Sequence, residues 1–448
     1  MRSAHEESVR HLRRALELLQ GCPPSRAHAE RELTLQLALG NALLGGRSLA
    51  SPEAQMAYER ARELCESVGD HWQLAPALWG LSVFYTTAGE LDRGIELAEQ
   101  LVAVSERTGA DIHWLSAHEE LAVPLYYRGA FAESLRHCEQ AIEIYNLNYD
   151  PARNESMAWI YPTDPGVPIR IYAGLNRWQL GYPEQAGVWL DEAERLARDS
   201  GHPYSIAFAL VFHALLHWMM GNTDGQAAAA NEVISIAERH RLLLWLAAGK
   251  MIAAGPLAQA GQCETAVESL QAGLELAARV GGQAGAPAFF ALQAEVLAAA
   301  GQYDAALNVV AMGLAMAEHS GQHFWTAELM RRRGELLLAS SATPTSLRQS
   351  AELVEVEQCF RAALSTAAAQ DARGQQLRAA TSLARLLQAQ GNIGAAAEVL
   401  SPIYDTFTEG FETRDLAEAR ALLAKASGSN QSPKMTEEPL CQNLKTAR

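Results

Sequence analysis

Lysine is almost missing from this chain: Lys250, Lys425, Lys434 and Lys445 are the only four in 448 residues. With 52 acidic residues against 36 lysines and arginines, the formal charge is -16. That excludes the broad basic surface needed to neutralise nucleic-acid phosphates. The six cysteines (Cys22, Cys65, Cys138, Cys263, Cys359 and Cys441) are scattered, with no C-x-x-C pair. Neither a disulfide framework nor a zinc site is predicted, and a reducing, cytoplasmic setting is. No phosphate loop of the form G-x-x-x-x-G-K-[ST] is present, because the single Gly-Lys pair, Gly249–Lys250, is followed by Met251. No run of eighteen uninterrupted apolar residues occurs, so no membrane span is expected. The first twenty residues lack the apolar centre of a signal peptide. Period-two alternation is also missing, which leaves no sheet to expect.

What the chain does have is a period. Gly89, Gly129, Gly181, Gly221, Gly261, Gly301 and Gly391 each close one apolar helical stretch and precede another, and the intervals 89–129, 181–221, 221–261 and 261–301 are all 40 residues. The two longer intervals contain loop-like insertions, 148–166 and 342–351, with Ser341 replacing the missing glycine. Seven residues before each turn stands a small residue: Ser82, Ala122, Gly174, Ala214, Ala254, Ala294, Gly334 and Ala384. Five residues after six of the turns stands another: Gly94, Ser134, Ala186, Ala266, Ala306 and Ala396. Small residues at fixed places on two antiparallel helices let their backbones approach closely. The spacing predicts an all-α stack of about nine helix pairs over residues 1–426, with turns near 45, 89, 129, 181, 221, 261, 301, 341 and 391. A disordered polar tail is expected over 427–448.

Helix pairs with small residues at these offsets resemble tetratricopeptide repeats, in the 40-residue variant of the maltose-regulon activator and related STAND regulators. The strings "QLALGNALLGGRSLASPEAQMAYERARELCESVG", "LVFHALLHWMMG", "FWTAELMRRRGELLLA" and "PIYDTFTEGFETRDLAEARALL" look like the C-terminal repeat region of bacterial proteins built from a class III nucleotide cyclase, an AAA/STAND ATPase and then such repeats. The resemblance implies a right-handed α-α superhelix acting as a non-catalytic sensing or protein-interaction module, the regulatory arm of a signalling ATPase–cyclase system. A free-standing adaptor is the alternative, and an all-α enzyme a more remote one. The residues of a cyclase or an ATPase are not in this chain, and no cofactor is expected. The exposed leucines of the first helix fit a chain split from upstream domains.

Individual constellations are weighed against this background. His213 and His217 share a helix face but fall on packing positions, which favours a structural role over a metal site. His113 and His118 read as solvated helix residues without a third ligand. The carboxylate pairs Glu63/Glu66, Glu96/Glu99 and Glu192/Glu194 read as solvated faces, and no acid pair is expected to be isolated in an apolar pocket. Arg331, Arg332 and Arg333 are expected to pair with Glu328 or Glu335 at helical spacing. The concave groove of the stack is the candidate site, lined by Trp79, Glu119, Tyr126, Ile171, Trp178, Val211, Trp218, Met251, Arg331 and Arg385. There a protein, a peptide or a small effector would bind, with aromatic side chains supplying much of the energy. Trp159 and Tyr161 in the first insertion form a possible lid.

Overall fold

The structure, a computed structural model, describes residues 2–44, 51–148, 164–340 and 351–429. Capping and glycine turns divide this sequence into helices. Asp70 accepts hydrogen bonds from the amides of Trp72 and Gln73 at 3.0 and 3.1 Å, and Asn222 accepts one from Gly225 at 3.0 Å. Both satisfy donors that the first helical turn leaves open. The turn glycines at 89, 129, 181, 221, 261, 301 and 391 all take the left-handed conformation that ends a helix without a Cβ penalty.

The helices are α1 (Arg2–Gln20), α2 (Arg26–Leu44), α3 (Pro52–Val68), α4 (His71–Ala88), α5 (Leu91–Thr108), α6 (Asp111–Arg128) and α7 (Phe131–Asn148). They continue as α8 (Gly166–Gln179), α9 (Pro183–Ser200), α10 (Pro203–Met220), α11 (Thr223–His240), α12 (Leu243–Gln259), α13 (Cys263–Val280) and α14 (Ala286–Ala299). The last are α15 (Tyr303–Ser320), α16 (Thr326–Ser340), α17 (Ala351–Ala369), α18 (Arg373–Ala389), α19 (Ile393–Tyr404) and α20 (Arg414–Ser429). A 3-10 turn, His323–Trp325, leads into α16. No strand occurs among the described residues. Among the described residues the even-numbered helices α2 to α18 are the inner members of nine pairs, and α1 and α20 flank them. The turns expected near 45 and 341, most of both insertions and residues 430–448 lie outside the described residues. Residues 427–429 continue α20 rather than starting the polar tail.

The two small-residue series work as expected. Ser82, Ala122, Ala214, Ala254, Ala294 and Ala384 are at most 1% exposed. A Cβ at Gly174 would come within 2.2 Å of Leu190 and 2.9 Å of the Ala186 carbonyl. Where the residue is serine its hydroxyl also ties the pair together: Ser82 donates to the Gly94 carbonyl at 3.0 Å and Ser134 to the Ala122 carbonyl at 2.7 Å. Gln226, which interrupts the second series, is buried and donates to the Ile252 carbonyl of the next pair at 3.0 Å. A second glycine series escaped the sequence reading. Gly69, Gly109, Gly201, Gly281 and Gly321, with Arg241 and Asp371 in the same phase, have positive φ at the outer-to-inner turns, twenty residues before the next inner-to-outer turn.

The stack coils onto itself. The Gln283 amide donates to the Thr87 carbonyl at 2.7 Å, and Gln375 Nε2 donates to Gln179 Oε1 at 2.8 Å across 196 residues. Arg378 donates to the Met219 carbonyl, and the Gly410 amide to Glu184 at 2.8 Å. One superhelical turn therefore takes about five 40-residue pairs. The C-terminal ends of α4, α6, α8 and α10 rest on the N-terminal starts of elements one coil later. The helix Pro203–Met220 is long and apolar enough to cross a membrane by composition alone, with about half of it buried. Here it is an inner helix packed between its neighbours.

Candidate functional site

This coiling changes the expected groove. Trp79, Tyr126, Ile171, Trp178, Val211, Trp218 and Met251 are each no more than 7% exposed. An open trough lined by them is not what forms. Trp325, fully buried, stacks on Trp178 at 5.9 Å and lies 5.5 Å from Trp218. Phe324 meets Tyr126 and Tyr127, both at 5.3 Å. Tyr126, Trp178 and Trp218, each three residues before a turn, thus face the following coil, and their aromatic contacts help close the superhelix. Trp159 and Tyr161, the possible lid, lie outside the described residues.

Behind this seam lies a paired charge network. Glu328 is buried and accepts from Arg331 at 2.6 and 2.8 Å and from Arg332 at 3.0 Å. Burial alone would raise its carboxyl, but Arg331, Arg332 and Arg378 together hold it well below the usual carboxylate range. Arg332 also reaches Glu295 at 3.1 Å, which accepts from Trp218 Nε1 at 3.0 Å. Arg378 lies 5.0 Å from the Trp178 ring and donates to Asp415 at 2.7 Å. Arg331 pairs as the helical spacing predicts and also with Glu335, while Arg333 reaches across to Glu355 at 2.6 Å. Arg385, bound to Glu418, is half-exposed beside Gln388, Leu422 and Lys425 in an open recess of about 450 Å³.

The front of the inner wall differs. Glu119 and Glu120 sit in the middle of α6, Glu119 half-buried and Glu120 6% exposed. Burial pushes both carboxyls up, Glu119 is raised further by Glu120 and Asp164, and a hydrogen bond from Ser82 works against the rise at Glu120. Glu120 is thus a buried carboxyl where only solvated ones were expected, while Glu119 keeps partial exposure. Among the described residues neither carboxylate is matched with an arginine or lysine. From this pair a ladder of rings runs along α8, α10 and α12: Tyr172 to Phe212 at 5.8 Å, Phe212 to Phe208 at 5.1 Å, Phe208 to Trp245 at 5.3 Å and Trp245 to Tyr204 at 5.3 Å. Tyr204, Phe208, Phe212, Leu215 and Phe289 keep partial exposure on this wall. The sequence reading named Val211 instead of Phe208 and Phe212. On α10 it is Phe208 and Phe212, thirteen and nine residues before Gly221, that keep partial exposure, while Val211, ten before it, is buried.

The histidines contact other side chains of the stack. His213 Nδ1 lies 2.6 Å from Glu194 and its ring stacks on His217 at 4.6 Å. His113 and His118 are buried, not solvated. Burial lowers both to about 4, and His118 Nδ1 lies 2.8 Å from His137 Nδ1. No group of three or more potential metal ligands occurs among the described residues. Cys65 and Cys138 are core residues as expected, whereas Cys263 is half-buried.

The architecture defines an all-α superhelix of tetratricopeptide-like helix pairs. Among solved structures it is similar to a Rap protein complexed with competence and sporulation factor (13% identity, 89% of this chain and 100% of that one, TM-score 0.48). It is similar also to the Rap conjugation gene regulator of plasmid pLS20 in complex with the Phr* peptide (11%, 92% and 98%, 0.47). A STAND protein with a tetratricopeptide repeat sensor from Pyrococcus horikoshii is a third (14%, 83% and 53%, 0.43). No protein-family model matches the sequence, and no curated protein does.

Proposed function

We propose that this protein is a non-catalytic recognition module whose binding surface is the inner wall of the coil from α6 to α14, and that its ligand is a protein segment or peptide. The observation that carries this reading is the run of partly exposed rings, Tyr204, Phe208, Phe212 and Phe289, on the inner helices α10 and α14. Large apolar side chains left wet in such a place are typical of recognition surfaces. A ligand on this wall touches several pairs at once. It would bias how tightly one coil closes on the next, and so carry a signal along the stack. The finer reading, a regulatory arm for a cyclase–ATPase system, rests on the sequence resemblance. A free-standing adaptor would use the same wall.

The test is affinity capture from cells expressing the chain, comparing wild type with a Phe208→Ala plus Phe212→Ala variant of unchanged circular dichroism. Loss of the specifically captured protein is the expected result. Undiminished capture by the folded variant would move recognition elsewhere.

A further inference from the structure

The seam between the two coils is built differently at its two ends. At the front, Phe324 and Trp325 enter the same buried apolar cluster as Tyr126, Tyr172, Trp178 and Trp218. At the rear, helices α17 to α20 keep a core of their own, running from Val356 through Leu377 and Phe407 to Leu422. This rear unit meets the ends of α8 and α10 and the start of α9 through polar groups and glycines. Gln375 joins Gln179, and Arg378 donates to the Met219 carbonyl. Phe407 lies against Gly181 and Arg414 against Gly221, so closely that a Cβ on either glycine would meet them at 3.2 and 2.8 Å. Between Trp178 and the side chains of Leu377, Phe407 and Leu416 a gap of about 20 Å³ remains. Units that own separate cores and touch across a polar, loosely fitted surface are the ones that move against each other.

The fastening beyond that gap is reciprocal. Helix α9 starts at Pro183, and Tyr182 before it provides no side-chain cap. Its open amides are capped from the other coil. Glu409 accepts from the Glu184 and Gln185 amides at 2.9 and 3.1 Å and from the Gln185 side chain at 3.0 Å. Glu184 in return accepts from the Gly410 amide at 2.8 Å. Gly410, with a φ of +76°, lies so close over Pro183 that a Cβ would come within 2.2 Å of its ring. Helices α4 and α11, by contrast, are capped by their own Asp70 and Asn222. A carboxylate on a helix start shifts an equilibrium by a factor of about ten, which can hold a unit closed and still release it. Glu184 and Gln185 are exposed, so water can replace either partner.

We propose that helices α17 to α20 form a clasp that swings off the first coil as a unit, and that the reciprocal contacts of Glu409 and Glu184 are its latch. Opening uncovers Trp178, Leu377, Phe407 and Leu416 and frees the end of α10, while the front of the seam stays shut. The clasp works whether or not the rings of α10 and α14 bind a peptide.

The test is amide hydrogen exchange of the full chain at single-residue resolution, in wild type, Glu409→Ala and Gly374→Leu. The amides of Glu184, Gln185 and Gly410 report the latch, and the Gln283 amide, bound to the Thr87 carbonyl at 2.7 Å, reports the front. In Glu409→Ala the protection of all three latch amides should fall together by about tenfold, the scale of one lost cap, with Gln283 as in wild type. The Gly410 amide decides the matter, because its acceptor is Glu184, which the substitution leaves in place. If Glu409 is only a local cap, Glu184 and Gln185 speed up alone, and the clasp is refuted. Gly374→Leu opens the seam from elsewhere, since a Cβ there already lies 3.0 Å from the Trp178 carbonyl. It should loosen the same three amides with both carboxylates present. Wild-type exchange at those amides in Gly374→Leu, or a matching acceleration of Gln283 in either variant, would equally overturn the proposal.

Discussion

Two stretches of one inner wall treat buried charge in opposite ways. From α14 to α18, Glu295, Glu328, Glu335, Arg331, Arg332 and Arg378 are cross-paired, and the rings around them are sealed by the next coil. From α6 to α12, among the described residues, Glu119 and Glu120 carry no ion pair and the rings stay partly open. The repeat plan is the same in both. Pairing and sealing are what a structural joint needs, whereas partly open rings are what the proposed recognition surface would use.

The largest effect should come from breaking the paired side. Glu328→Ala leaves Arg331 and Arg332 buried without their shared partner, and about 3–5 kcal/mol of stability should be lost in urea denaturation. A loss below about 1 kcal/mol would mean that the network is not what holds the rear wall. The unpaired side should respond with the reverse sign. Burial holds the folded Glu120 carboxyl above the ordinary carboxylate range, while an unfolded chain releases its proton near ~4.3. As pH rises above the unfolded value the unfolded form is favoured, so Glu120 costs stability progressively until its raised folded-state carboxyl has ionised. Glu120→Gln should match wild type in acid and exceed it increasingly through neutral pH. A variant that is less stable than wild type at pH 7 would show that the carboxylate is compensated within the chain.

Much of this was readable beforehand, because the features concerned are local. Glycine at a left-handed turn and a small residue where two helices touch are each dictated by one pair of elements, and they recur in step. The second glycine series at 69, 109, 201, 281 and 321 was equally present in the letters but lay out of phase with the one followed. The seam was not readable. Contacts between Gln179 and Gln375 depend on the sum of small rotations over five pairs, and no local pattern encodes that sum. This is why Trp178 and Trp218 read as groove residues and are found beneath Trp325. Of the acid pair, Glu119 was named by register alone, without its neighbour.

Closure of one coil onto the next decides which part of the wall is available, so it is the point to measure. Small-angle X-ray scattering of the full chain and of Gln375→Ala addresses it directly. Gln375 holds Gln179, the Phe324 carbonyl and the Glu328 amide together, and its loss should cost about 1–3 kcal/mol through the stranded polar groups. Wild-type scattering should match a closed coil, and the variant should show a larger radius of gyration. A wild-type profile of an extended, open solenoid, indistinguishable from the variant's, would contradict the account.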